Sequence, residues 1–328
     1  MQNKKIPLAI DCDPGIDDAW ALLLAAAMPE FDVRLLSPVA GNVDYVYTSE
    51  NLRRLAAWYG LPGKLARGAS QALEIARIDA GDIHGKGGMA GFDLPPTKRP
   101  FEQAWSWDLL YEEACRAEAE GGLLILAIGP LTNLALALEK YPDLASKLRG
   151  LVLMGGSAGP GNHGPYAEFN IACDPHAAQV VFESELNLAM VSLDVTNASA
   201  LQQEEMQALC AIDTPYSPLL KAIAGFMPGR AVLHDALAAA SLVNSGLMTW
   251  EEVGIRCECE DDVHLGQTIF SFSGRRFEHF TFPPLRERTS GPLHLLSRSV
   301  DREAYVGELD RRLNGLKKKM KIQVKNKK

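Results

Sequence analysis

Four carboxylates fall within eight residues near the start of the chain, in Asp11-Cys12-Asp13-Pro14-Gly15-Ile16-Asp17-Asp18. Crowded carboxylates repel one another and raise each other's pKa. The chemistry that suits such a group is the capture of a hard cation through oxygen ligands. A plainer reading is a polar turn in which Asp17 and Asp18 cap the helix that begins there. An EF-hand is excluded, because counting from Asp11 its required Gly and Glu positions hold Ile16 and Leu22.

The elements around the acids fix where they sit. Ile6 to Ile10 is a short apolar run bounded by a Pro-Gly turn and reads as a buried strand. The run from Ala19 onward continues at helical length. The acids therefore lie on a tight loop at the carboxyl end of a strand, where open α/β sheets bind ligands. A second strand is expected over Val33–Val39, and a helix over Asp44–Tyr59 stopped by Gly60. Asp82 to Gly91 holds four glycines in ten residues and reads as a flexible loop. A helix is expected over Glu102–Glu120, a strand over Leu123–Ile128, a helix over Leu134–Glu139 and a strand over Leu151–Met154. Ser157 to Asp174 is a long irregular stretch, of a length that is more often functional than idle. A helix (about 175–184) and a strand over Leu188–Leu193 follow. This alternation predicts a doubly wound α/β fold, a mostly parallel central sheet with helices on both faces. Beyond it, 201–245 reads as helical, 253–282 as a small antiparallel appendage and 302–313 as a helix. The expected organisation is a single α/β domain over 1–316 and a Lys-rich, disordered tail over 317–328.

Several polar residues share one position type, just past a strand or in a long loop: Asp11 and Asp13, Asn42, the turn after Ile128, Asn162, Glu168, Asn170, and His234-Asp235. In a doubly wound sheet the carboxyl ends of the strands share one edge, so these groups can converge. His163 reads as loop, and Trp20 and Trp58 as packing on helical faces. The net charge of −8 offers no nucleic-acid groove, and no apolar run reaches membrane-spanning length. Lys4 and Lys5 precede too short an apolar run for a signal peptide. Six scattered cysteines fit a reduced, cytoplasmic protein.

Two enzyme families place acids after a first strand in this way. A D-x-D pair there is also found in Mg²⁺ phosphatases of the haloacid dehalogenase type, with Asp11 as nucleophile. Their usual D-x-D-x-[TV] needs Thr or Val where Gly15 stands. D-x-D-P-G-x-D-D-A more closely resembles the signature of the nucleoside hydrolases, the calcium-dependent N-ribohydrolases. Val39-Ala40-Gly41-Asn42-Val43, Ile83-His84-Gly85, Gly129-Pro130-Leu131-Thr132-Asn133, Met154-Gly155-Gly156, Asn162 with Ala167-Glu168-Phe169-Asn170, and His234-Asp235 agree with that family in order. The likeness spans roughly residues 6 to 245.

The resemblance implies Ca²⁺ held by Asp13, Asp18, Asp235 and the main-chain carbonyl of Ile128. It makes Asp13 general base for the attacking water and Asp11 a residue that orients the loop. It puts Asp17, Asn42, Asn162, Glu168 and Asn170 on the ribose hydroxyls, with Met154 under the sugar. His84, Phe169 and His234 fall on the base side, His234 as proton donor to the leaving base. Direct, inverting attack by water on an oxocarbenium-like ribosyl group is the implied reaction. The implied partners are a nucleoside substrate and a second copy of the chain, as homodimer or homotetramer. A ribose- or nucleoside-binding protein without turnover is the non-enzymatic alternative. Around the base the likeness thins: the segment Ala222–Leu233 lacks tyrosines, and only Phe226 and Arg230 offer a reach to the base.

Overall fold

The first strand, β1 (Ile6–Cys12), turns Leu8, Ile10 and Cys12 to one face and Ala9 to the other, all buried. β4 (Leu123–Ala127) does the same, with Leu124 and Leu126 on one face and Leu123, Ile125 and Ala127 on the other. Strands covered on both faces carry continuous apolar runs, which is why both are visible in the sequence. The computed structural model describes residues 5–287 and 291–325. Lys4 and the tail residues 326–328 lie outside the described residues.

The remaining strands are β2 (Phe31–Pro38), β3 (Lys64–Leu65), β5 (Leu148–Met154), β6 (Leu188–Val191), β7 (Met248–Cys257), β8 (Thr268–Phe277) and β9 (His294–Val300). They form one nine-stranded sheet in the order β3-β2-β1-β4-β5-β6-β9-β7-β8. Pairings from β3 through to β9 are parallel; β9 with β7 and β7 with β8 are antiparallel. The expected α/β architecture is therefore the observed one. The antiparallel hairpin β7–β8 is not separate from it, because β9 pairs with both β6 and β7 and welds the hairpin to the main sheet. β9 has no counterpart among the expected strands, because its apolar run Leu295-Leu296 is too short to signal one.

Topology opens a crevice at one place. The helix Ile16–Ala26, which follows β1, packs on the face carrying Leu124 and Leu126. The helix Thr132–Lys140, which follows β4, packs on the opposite face with Leu123 and Ile125. β1 and β4 are neighbours, so their outgoing connections part in opposite directions at the carboxyl edge. Such a switch point is where doubly wound sheets bind ligands.

Local signals set most helices. Asp44 caps the helix Tyr45–Tyr59 by accepting the N–H of Val46, and Gly60 closes it. The Gly-rich stretch departs from expectation: Gly81–His84 is a short helix, and His84 at its end is buried. The final helix, Arg302–Lys325, runs past the expected 302–313 into the Lys-rich segment. Lysine is a good helix former, and cations are favoured near a helix C-terminus. No described helix is long and apolar enough to cross a membrane.

Candidate active site

Loops after β1, β2 and β4 meet at the switch point. Asn42, past β2, donates its N–H to Asp13 Oδ2 at 2.7 Å. Its side-chain amide donates to the Asp13 carbonyl and to Asp18 Oδ2, both at 3.1 Å. Asp18 Oδ2 also accepts the Gly15 N–H at 2.9 Å, so the capping role is present but uses one oxygen only. The Oδ1 atoms of Asp13, Asp17 and Asp18 are buried and have no hydrogen-bond partner. Asp235 arrives from the first turn of the helix His234–Ser241. Carboxylate oxygens of Asp17, Asp18 and Asp235 lie within 4.8 Å of one another.

This crowding has the expected electrostatic result. Burial, then Asp18, pushes the Asp13 carboxyl well above the usual range, against the pull of the Asn42 N–H. Burial and Asp17 raise Asp18 to about 7, and burial with Asp17, Asp18 and Asp13 raises Asp235 well above normal. No Lys or Arg among the described residues bonds to any of these acids. Buried charges persist only when paired or coordinated. Carboxylate oxygens of Asp17, Asp18 and Asp235 that converge without a cation, with unpartnered oxygens on Asp13, Asp17 and Asp18, are therefore a fitting donor set for an oxygen-seeking metal ion. Close approach of the backbone makes room for Asp13. A Cβ at Gly41 would lie 2.1 Å from Asp13 Oδ2, and one at Gly129 would lie 2.5 Å from Asp13 Oδ1. Ile128, just before Gly129, lines the adjoining cavity.

The cluster floors a cavity of about 580 Å³, lined by Ile16, Asp17, Asn42, Asp79, His84, Ile128, Met154, Asn162, His163, Glu168, Phe169, Asn170, Met227, Arg230, Val232, His234 and Asp235, among others. The far wall comes from the long loop after β5. Glu168 caps the helix Phe169–Cys173, Oε1 accepting the Asn170 N–H and Oε2 those of Gly156 and Ile171. Burial raises it to about 7 despite those three bonds. The Asn170 amide donates to Met154 O at 3.1 Å, which leaves its Oδ1 for the cavity. Asn162 Oδ1 accepts the Phe169 N–H, which leaves its Nδ2. Acceptor and donor amides beside a carboxylate match hydroxyl groups, which both give and accept hydrogen bonds.

Three histidines line this cavity, His84, His163 and His234. His84 Nδ1 accepts the Ile16 N–H at 3.2 Å. Burial lowers its pKa, so the neutral ring carries its proton on Nε2 and can only donate there. His234 Nδ1 bonds Thr196 Oγ1 at 2.7 Å.

The sequence of residues 8–306 matches the family described as "Inosine-uridine preferring nucleoside hydrolase". The chain belongs to that family. As a member it is a hydrolase acting on N-glycosyl bonds. It is 37% identical over 281 residues to a protein named non-specific ribonucleoside hydrolase RihC from Klebsiella pneumoniae, covering 83% of this chain and 90% of that one. A RihC of Escherichia coli is also 37% identical, over 275 residues. Among solved structures, a plant nucleoside hydrolase, PpNRh1, superposes with a TM-score of 0.84 at 28% identity, covering 94% of this chain and 99% of the other. The purine-preferring ribonucleoside hydrolase from Gardnerella vaginalis does so at 0.82 and 26%, covering 94% and 98%.

Of the residues expected at the site of this nucleoside hydrolase, Asp17, Asp18 and Asp235 bring carboxylate oxygens together, Asn42 ties Asp13 and Asp18 beside them, and Asp17, Asn42, Ile128, Asp235, His84, Met154, Asn162, Glu168, Phe169, Asn170 and His234 line the cavity; Asp13 is not one of the acids that crowd together. Asp17, expected on the sugar, is also one of the three acids that crowd together. Asp11 does not line the cavity; its carboxyl, raised to about 7 by burial, accepts from Asn133 Nδ2 at 2.9 Å. That bond ties it to the first turn of the helix Thr132–Lys140, which follows β4. Several cavity residues had no sequence signal of their own, Ala80 and Met227 among them. His163 looked like ordinary loop, and Asp79 and Val232 sit in segments without a motif. Arg230 reaches the cavity, whereas Phe226 is not part of its wall. The antiparallel hairpin braces the site loop: Thr268 Oγ1 accepts the Ser157 N–H and donates to the Ser157 carbonyl, both at 2.9 Å, and Ala167 bridges to Gln267.

Proposed function

We propose that this enzyme hydrolyses ribonucleosides to free base and ribose with Ca²⁺ as cofactor. The observation that carries the reading is the buried carboxylate cluster, with its orphan oxygens, at the floor of a cavity walled by amides and a second carboxylate. Asp13, Asp18, Asp235 and the Ile128 carbonyl would hold the ion, and Asp17 is near enough to add an oxygen. Bound there, calcium would acidify a water and grip ribose hydroxyls.

The chain's own groups divide the remaining work. Asn42 pins Asp13 Oδ2, so Oδ1 is the oxygen that takes the water's proton. The water oxygen bonds to C1′ on the face opposite the base as the C1′–N bond breaks. The electrons of that bond leave with the base, which takes a proton from His234. One water is consumed and the anomeric centre inverts. Asp17, Asn42, Asn162, Glu168 and Asn170 bind the sugar hydroxyls, over Met154. The positive charge that develops on the ribosyl group meets the carboxylates' field. On the base side, His84 offers the Nε2–H donor, with Phe169 and His234 beside it. Family likeness further supports a single-domain (1–316), cytoplasmic homodimer or homotetramer.

The test is to incubate the protein with a panel of purine and pyrimidine nucleosides and measure free base and reducing ribose. Release from at least one nucleoside is expected; none from any would sink the proposal, and binding without release would favour a non-catalytic role. Gly41→Ala tests the placement of Asp13. Its Cβ must displace the Oδ2 held by Asn42, and a shift of about 1 Å in a catalytic group costs on the order of 10²-fold. A Gly41→Ala enzyme with kcat close to the unsubstituted one would mean that Asp13 does not act from this position.

A further inference from the structure

Thr196 lies on the short helix Leu193–Ala198 that follows β6, and so at the same carboxyl edge as the acids. It is fully buried and no motif points to it. Its hydroxyl oxygen is 2.7 Å from His234 Nδ1 and 3.1 Å from the Leu193 carbonyl. The hydroxyl donates its single hydrogen to the Leu193 carbonyl. The Thr196 oxygen then presents a lone pair to His234, and Nδ1 must carry the hydrogen that fills it. The helix is itself fastened: Leu193 N–H donates to Gly156 O at 2.8 Å, and Ser199 Oγ to the Thr196 carbonyl at 2.7 Å. From the other side, Tyr305 Oη donates to the Leu233 carbonyl, which fixes the backbone entering His234.

We infer that Thr196 is a positioning residue that sets the ring orientation and tautomer of His234, so that Nε2 is the only nitrogen that exchanges a proton with the departing base. The inference rests on the ribonucleoside hydrolase reading above. Nδ1 keeps its hydrogen throughout, bonded to Thr196. The donor is the imidazolium form: Nε2 gives its proton to the base as the C1′–N bond breaks, which leaves a neutral ring with its hydrogen on Nδ1, and Nε2 regains a proton from solvent before the next turnover. Without the hydroxyl the ring has no partner on its buried edge, and a flip about Cβ–Cγ turns carbon toward the base instead. Orientation of a histidine by a fixed partner on its other nitrogen is a general device in proton transfer.

The experiment compares a ribonucleoside with 4-nitrophenyl β-D-ribofuranoside, whose nitrophenolate leaves without needing a proton. For Thr196→Val, kcat on the nucleoside should fall about tenfold or more, a fraction of the 10²–10⁴ that a general acid supplies. KM and the rate on the nitrophenyl riboside should stay within about twofold, and Thr196→Ser should restore most of the nucleoside rate. If the valine variant does not fold, Thr196→Ala serves the same comparison. An equal loss on both substrates would show that Thr196 merely supports the fold, and no loss on either would show that it does nothing for His234; each overturns the inference. If the unsubstituted chain hydrolyses neither substrate, the ribonucleoside hydrolase reading fails, and this inference fails with it.

Discussion

Asp13→Asn should lower kcat for ribose release by at least ~10³-fold while the metal-free protein melts at a higher temperature than the parent. The two effects share one cause. Asp13 is fully buried with one oxygen bonded by the Asn42 N–H and the other facing Asp18 and Asp17. Asparagine has the same shape, so its carbonyl keeps the bond to Asn42. Its NH₂ then replaces the orphan oxygen and donates into the carboxylates that previously repelled it. Removing one of several like charges from a buried site relieves the folded state. The amide, however, cannot take a proton from water. Calorimetric titration with Ca²⁺ separates the two parts played by Asp13: if the variant is saturated with calcium and still inactive, the lost function is the base. A residual rate near one per cent of the parent, or a fall in melting temperature, would overturn the assignment.

Chelation should abolish turnover and lower the melting temperature, and Ca²⁺ should restore both. The stability change should depend on pH in a defined direction. Asp11 and Asp18 are raised from 3.8, and Glu168 from 4.5, to about 7 in the folded chain, chiefly by burial. A carboxyl whose folded pKa is raised holds a proton that the unfolded chain releases. Its contribution is fully present below about pH 4 and is lost as pH rises toward 7. Metal-free protein should therefore melt progressively lower from pH 5 to pH 7.5 and level off above that. Calcium binds the ionised cluster, so its stabilising effect should grow over the same window. At a hundred times its dissociation constant a ligand adds about 2.7 kcal/mol, or roughly 4 °C for a chain of this size. Asp11 and Glu168 lie outside the proposed ligand set, so part of the downward slope should survive saturating calcium. A metal-free melting temperature that climbs from pH 5 to pH 7.5 would contradict the burial of these acids.

Features written locally in the chain were legible without coordinates. Asp44 and Gly60 bracket their helix because capping needs only neighbours along the chain. The acid loop was legible because its residues are contiguous and its Pro-Gly bend is explicit. The sheet's carboxyl edge followed from strand and helix alternation, and with it the convergence of Asn42, Glu168 and Asp235. What escaped depends on distance. Thr196 is an ordinary residue of a six-residue helix until the fold sets it against His234, 38 positions on. His84 lies among glycines that suggest a mobile surface loop, yet Ile16 and the pocket wall bury it. β9 carries only a short apolar run, and its meaning comes wholly from the strands on either side of it.

The brace between Ser157 and Thr268 imposes an order on biosynthesis. Every acid of the site has been translated once Asp235 is made, but the loop bearing Asn162, Glu168 and Asn170 then has no support at Ser157. Its support arrives on a hairpin that, among the described residues, joins the main sheet through β9, ending at Val300. At roughly 5–20 residues per second, a nascent chain waits several seconds in this state. During that interval it carries the cluster of mutually repelling acids without the wall that completes a sugar pocket. Maturation of this enzyme is therefore completed from its C-terminal side, although its chemistry is written from its N-terminus.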